Sequence, residues 1–371
     1  MDPTATDVAI VLVVVGARLF VPLFIPRFPL PAIVLALVID AADQTIFQTY
    51  LSHGLWDRIQ DEYQGYDKSL DVYYLSMAYV ATMRNWANRT ALLTAQVLWL
   101  YRLAGVTLFE VVHDAADPSS WRWLLLVFPN TFEYFFIAYE AIRLRWDPRR
   151  MSPQLVVGIA AFIWVFIKLP QEWWIHVAQL DLSDEIDAHG WIKGVIAGVV
   201  VAVLAIIWWA VTYRLPPEDW TLQVTAPPLP EELDTAAERG AWRAATWKLF
   251  DWNLVEKVVL VALVCVDFAQ IMPRVTATNR QILLSVTVLV VVNSAMGMAF
   301  VRRGHSIQSF GLQFVVQLAL NLGIVWLGRL FSQRFNPNDA MFFVLLITLI
   351  TTLYDRYRPI RELRRQTSAV A

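Results

Sequence analysis

Cysteine and charge are what this chain has least of: of 371 residues one is cysteine, and 17% are charged against 57% hydrophobic. A single cysteine excludes an intramolecular disulfide and any cysteine-based metal cluster. Its setting, the apolar run VALVCVDF, makes Cys265 a small buried apolar residue. Soluble domains carry about 25% charged and about 45–50% apolar residues, so the composition excludes a large soluble enzyme with a polar shell. Motifs are missing too. There is no GxxxxGK[ST] phosphate loop, no GxGxxG, no HExxH and no GxSxG elbow. ATP-driven transport by this chain alone, dinucleotide chemistry, zincin proteolysis and an α/β-hydrolase site are therefore unsupported. The last apolar run also lacks a lysine for a retinal Schiff base. Thirty Lys and Arg against 32 Asp and Glu give a net charge of −2, so no basic field recruits nucleic acid.

What is present is apolar length and aromatic weight. Mean hydropathy is +0.48, and 17 Trp, 20 Phe and 12 Tyr suit helices whose ends sit at a bilayer interface. Crossing ~30 Å of hydrocarbon takes about 20 apolar residues. Eleven stretches qualify: 7–25, 29–51, 69–87, 91–113, 121–142, 155–179, 191–213, 256–273, 282–301, 308–328 and 340–355. The N-terminal MDPTATD has no base and no small-x-small cleavage site, so the first run reads as a span and not a removed signal. Pro22, Pro26, Pro29 and Pro31 crowd the junction of the first two spans and predict kinks or a half-penetrating hairpin there.

Cytoplasmic loops are enriched in Lys and Arg. With the N-terminus outside, the inner segments and the span ends beside them hold 19 bases, the outer ones 8, and Arg18, Arg102 and Lys168 fall deep inside spans. The expected fold is thus all-α: a polytopic integral membrane protein of about 11 transmembrane helices, N-terminus outside and C-terminus cytoplasmic, in the cell membrane. Its Ala-, Val-, Arg- and Trp-rich composition points to a bacterial source. Residues 1–213 form a seven-helix bundle with a polar core, 214–255 a proline-rich then charged cytoplasmic linker with room for an interfacial helix over 231–252, 256–355 a four-helix bundle, and 356–371 a basic tail.

Charged residues within spans cost about 2.5–3.5 kcal/mol each on insertion scales, so they face the bundle interior. Helical phase sorts them into stripes. Asp40, Asp43, Gln44 and Gln48 share one face of span two; Asp67, Asp71, Tyr74 and Asn85 share one in span three. Span four carries Arg102 and His113 with Glu110 beside them, and span five carries Glu133 and Glu140 near Asn130. Span six carries Lys168, Gln171, Glu172, His176 and Gln179, with Pro170 bending it. Counting from span centres puts Asp40, Arg102, Glu133 and Lys168 within ~3 Å of the midplane, a set of two acids and two bases. Gln313, Gln317 and Asn321 line one face of span ten.

Three readings of these groups stand side by side. They are interhelical glue in a non-catalytic scaffold; or a substrate or ion pathway of a permease or ion- or proton-coupled transporter, through Asp40, Asp43, Arg102, Glu133, Lys168, Glu172 and His176; or a membrane enzyme in which Asp40, Asp43, Asp67 and Asp71 hold Mg²⁺ against a pyrophosphate-bearing lipid. The permease is the reading taken forward, with no cofactor, Mg²⁺ belonging only to the enzyme. Its partners are membrane lipids and a small-molecule or ion substrate, with no nucleic acid, and an oligomer is compatible with it.

Overall fold

The computed structural model describes residues 4–112, 121, 123–178, 189–227, 249–271, 278–302, 310–331 and 337–370. Among them every regular element is helical. Helix α1 (Ala5–Phe20) opens with a capping box: the Thr4 hydroxyl accepts from the Asp7 N–H at 3.1 Å, and the Asp7 carboxylate accepts from the Thr4 N–H at 2.9 Å. The same carboxylate accepts from the Ser52 N–H at 2.9 Å, fastening the start of α1 to the end of α2 (Pro29–Tyr50). The prolines between them are absorbed by a 3₁₀ turn (Val21–Phe24) and by Pro29 at the first helical position, where no N–H is needed.

Helix α3 (His53–Asn85) begins well before the expected span at 69 and rises ~50 Å over its 33 residues. The polar stretch 52–68, expected as a loop, is its first half. After α4 (Arg89–Val112), the fifth expected span is two helices, α5 (Trp123–Val127) and α6 (Thr131–Arg143), parted at Pro129. Helix α7 (Pro153–Phe162) runs on through a π-helical turn (Ile163–Lys168), a short α segment (Leu169–Glu172) and a second π turn (Trp173–Val177). Then come α8 (Trp191–Tyr213), α9 (Trp252–Ile271), α10 (Asn279–Arg302), α11 (Phe310–Phe331) and α12 (Pro337–Val370).

One continuous core joins residues before and after the 214–255 stretch: α3 and α4 pack against α2, α6 and α7 on one side and α9 and α12 on the other. Its densest part is aromatic. Trp86 stacks on Tyr139 at 3.8 Å and on Phe136 at 5.6 Å, and meets Phe135 edge-on. The outward faces are also apolar: Leu12, Phe20, Val38, Phe166, Leu204 and Leu284 are each between 58% and 68% exposed. Apolar surface on both sides of a helix suits lipid, not water. Five helices among the described residues are long and apolar enough to cross a membrane: Ala5–Phe24, Pro29–Tyr50, Arg89–Phe109, Pro153–Ile175 and Asn279–Ala299.

The chain reversals after α1, α3 and α6 share one end, here the base. Onto it docks the described part of the linker. Gln223 N–H donates to Leu144 O at 2.9 Å, Ala226 N–H to Arg27 O at 2.8 Å, and Arg143 Nη1 to Thr225 O at 2.9 Å. Of the interfacial helix expected over 231–252, residues 231–248 lie outside the described residues, and Trp252 is instead the first residue of α9.

Candidate functional site

Helix rise sets the depth of the buried charges. Asp40 stands ~16 Å along α2 from Pro29, Glu133 ~15 Å along α6 from Arg143, Asp71 ~21 Å along α3 from Asn85 and Lys168 ~22 Å along its rod from Pro153. Since all four distances are measured from the base, these groups form one layer inside the bundle. Two clusters occupy it.

The first is built around Arg18, which the sequence reading set aside. Its guanidinium pairs with Asp43 and Asp40, and Nη2 also reaches Asp71 at 2.9 Å. Arg18 and Asp43 are almost fully buried, whereas Asp40 and Asp71 keep 24% and 31% of their side chains exposed. The antiparallel α1–α2 hairpin brings Arg18 opposite Asp40 and Asp43, and α3 adds Asp71 across them. Three of the four aspartates proposed for Mg²⁺ therefore surround the protein's own cation. The Asp67 side chain lies outside the described set, and no group of three His, Cys, Asp or Glu among the described residues is placed to hold a metal ion.

The second cluster is built on the gap between α5 and α6. Pro129 has no N–H, and the broken helix frees carbonyls and amides that lipid cannot satisfy. Neighbouring helices satisfy them. Tyr101 OH donates to Val127 O at 2.9 Å, Arg102 Nη1 donates to Phe128 O at 2.8 Å, and the Asn130 N–H donates to Glu172 Oε1 at 3.1 Å. Glu133, in the first turn of α6, accepts from Tyr74 OH at 2.7 Å and from Asn130 Nδ2 at 2.6 Å. Lys168 Nζ lies 4.0 Å from Glu133 Oε2 and 4.0 Å from the Tyr134 ring centroid. Glu133, Lys168 and Glu172 are each at most 5% exposed.

Lys168 and Glu172 owe their placement to the π turns. Leu169 N–H returns five residues to Trp164 O, and Ala178 N–H returns five residues to Trp173 O at 2.8 Å. Such widened turns re-aim side chains, and Pro170 between them removes a further backbone donor. The two clusters meet on α3, where Asp71 and Tyr74 stand one turn apart on one face.

The midplane quartet is thus distributed differently from the expectation. Asp40 belongs with Arg18, Glu133 with Lys168, and Arg102 binds backbone at the helix break. Tyr74 and Asn130, seen in sequence only as members of stripes, are direct partners of Glu133. The Glu110 and His176 side chains and residue His113 lie outside the described set. A further buried group sits nearer the base: Trp86 Nε1 donates to Glu140 at 2.7 Å and Arg143 Nε to Glu140 at 2.5 Å.

Fold and site together describe an all-helical protein with several membrane-length apolar helices and a charged layer among them, buried at Arg18, Asp43, Glu133, Lys168 and Glu172 and partly open at Asp40 and Asp71. No family model, curated protein or solved structure matches the chain.

Proposed function

We propose that this protein is a multi-pass permease of the cell membrane that moves a small molecule or ion in exchange for, or together with, a proton or cation. The observation that carries this reading is a charge surplus. Among the described side chains the layer holds five carboxylates, Asp40, Asp43, Asp71, Glu133 and Glu172, and only three bases, Arg18, Arg102 and Lys168. Fastening helices together needs neutral pairs, each interhelical hydrogen bond adding about 0.6 kcal/mol. Desolvating an uncompensated carboxylate costs several kcal/mol. Two surplus acids are a poor investment for glue, and they suit a site that takes up protons or cations in turn. A broken helix at the same depth is also a recurrent feature of transport sites.

The eleven spans and the N-out, C-in orientation belong to this proposal, supported by the 19 to 8 split of flanking bases. The pathway runs through Asp40, Asp43, Glu133, Lys168, Glu172 and, by helical phase, His176, with Arg102 holding the break open to it.

The test is proton flux into liposomes holding the purified protein, followed with a pH-sensitive dye under an imposed potential. Asp40→Asn and Glu133→Gln should each lower flux at least tenfold in protein that still purifies folded and monodisperse in detergent. Flux equal to wild type in both variants would overturn the reading and leave the charges as interhelical fastenings.

A further inference from the structure

We infer that α10, α11 and α12 wall a second polar site, a water-filled half-channel for small uncharged solutes that opens at the base. It shares no residue with the charged layer and does not rest on the permease reading.

The mouth is a small, half-open recess lined by Asp251, Lys257, Gly297, Gln313, Asp355 and Arg358, among others. Its rim charges cancel in pairs, with Lys257 Nζ 2.6 Å from Asp355 and Arg358 Nη2 2.6 Å from Asp251. Inward from the mouth, three helices each present polar side chains at helical spacing. On α10, Asn293 lies one turn below Gly297; on α11, Gln317 and Asn321 continue the face of Gln313; on α12, Thr352, Thr351 and Thr348 continue inward from Asp355. The seven residues from Asp355 to Thr348 make the seam ~10 Å deep.

Part of the seam is closed by its own contacts. Thr352 Oγ1 donates to Gln317 Oε1 at 2.6 Å, and Asn321 Nδ2 donates to Thr348 Oγ1 at 2.8 Å. The rest is not. Asn293 is 0% exposed, and neither its Nδ2 nor its Oδ1 has a hydrogen-bond partner; Asn321 Oδ1 is also without one. Buried amides are ordinarily satisfied on both sides. An occupant that donates and accepts at once, as water, an alcohol or an amide does, completes Asn293, and it reaches Asn293 from the recess one turn away. The described polar side chains below the rim, Asn293, Gln317, Asn321, Thr348, Thr351 and Thr352, are amides and hydroxyls and carry no charge, which sets the class of solute.

The single cysteine makes the test direct. In a Cys265→Ala background, cysteines introduced by Asn293→Cys and Gln317→Cys are labelled in membrane vesicles with hydroxyethyl methanethiosulfonate, a small neutral hydrophilic reagent that needs a hydrated thiolate. Leu284→Cys, whose native side chain is 66% exposed on the outward face of α10, is the control. Labelling at 293 and 317 should run at least tenfold faster than at 284, and adding Asn293→Leu should slow labelling at 317. Rates at 293 and 317 no faster than at 284 would overturn the inference and mark a dry amide seam. If Asn293→Cys fails to fold, Gln317→Cys and Thr352→Cys carry the same comparison.

Discussion

Gly105 stands where α4 meets the break between α5 and α6, and a Cβ built there would overlap the Cβ and ring of Phe128. The absence of a side chain is what lets Phe128 come close enough for its carbonyl to receive Arg102, and for Tyr101 to reach Val127 O. Gly105→Ala should push the break outward and cost about 1–3 kcal/mol, as overpacking typically does. A lower melting temperature in detergent reads this, against Gly158→Ala, where the new methyl meets nothing within 4 Å. Equal melting temperatures for the two would show that the close approach is not needed. At this scale the sequence was informative about which side chains are polar and deep, and poor at pairing them. Arg18 shows why. Its helical phase says nothing about the acids it meets on α2 and α3, which only the hairpin at Val21–Phe28 turns towards it. Lone charges at one depth look interchangeable until the helix order is known.

Helices were read where hydropathy drops at their ends and misread where it does not. The hydropathy dips only over Pro129, Asn130 and Thr131, too briefly to end a span, so span five looked continuous; Pro129 and Asn130 were the local signs, and the groups that stabilise the gap come from α4 and the α7 rod. The opposite error fell on α3, whose first half is too polar for lipid yet perfectly able to be helical. Prolines and charges mark 214–255 as a linker with room for an interfacial helix over 231–252 and give no sign of where its first part sits; residues 214–227 dock on the turn at 147–150, because Asp219 accepts from the Asp147 N–H at 2.7 Å and pairs with Arg150. That turn is itself held by Asp147. Burial works to raise its carboxyl, but the side-chain and backbone hydrogen bonds from Arg149, with the Arg149 and Arg150 charges, outweigh burial and keep it below the ordinary 3.8. A carboxyl held lower in the folded state stabilises that state fully above about pH 5 and progressively less as pH falls below about 4. Amide exchange at Gln223 and Ala226, corrected for intrinsic rates, should therefore quicken between pH 5 and pH 3. In Asp147→Asn it should be quick at pH 7 already, with a smaller acid step. Protection unchanged down to pH 3 in the wild type would show that the turn does not depend on this carboxylate.

Across the whole molecule, what binds the first seven expected spans to the last four is a buried knot on α3, α9 and α12. Tyr79 OH donates to Glu256 Oε1 at 2.5 Å, and Arg361 donates to the same carboxylate at 3.1 and 3.4 Å and to Asn253 Oδ1 at 3.0 Å. All of these groups except Asn253 are under 9% exposed. Between apolar helices in lipid the hydrophobic effect contributes little, so packing and such polar contacts must hold the two parts together. The basic segment after the last apolar run looked, in sequence, like an orienting tail; α12 instead carries Arg361 back into the core. Removing one partner of a buried pair strands the other, at about 3–5 kcal/mol, whereas replacing both by apolar groups of similar size is often neutral. Glu256→Leu should therefore lower the melting temperature sharply, and Glu256→Leu with Arg361→Leu should recover most of the loss. If the double variant melts as low as the single one, the knot owes its strength to Tyr79 and Asn253, and it is a hydrogen-bonded lock with the ion pair incidental to it. A Tyr79→Phe variant separates these outcomes: it lowers stability by about 1 kcal/mol if the ion pair dominates, and by as much as Glu256→Leu if it does not.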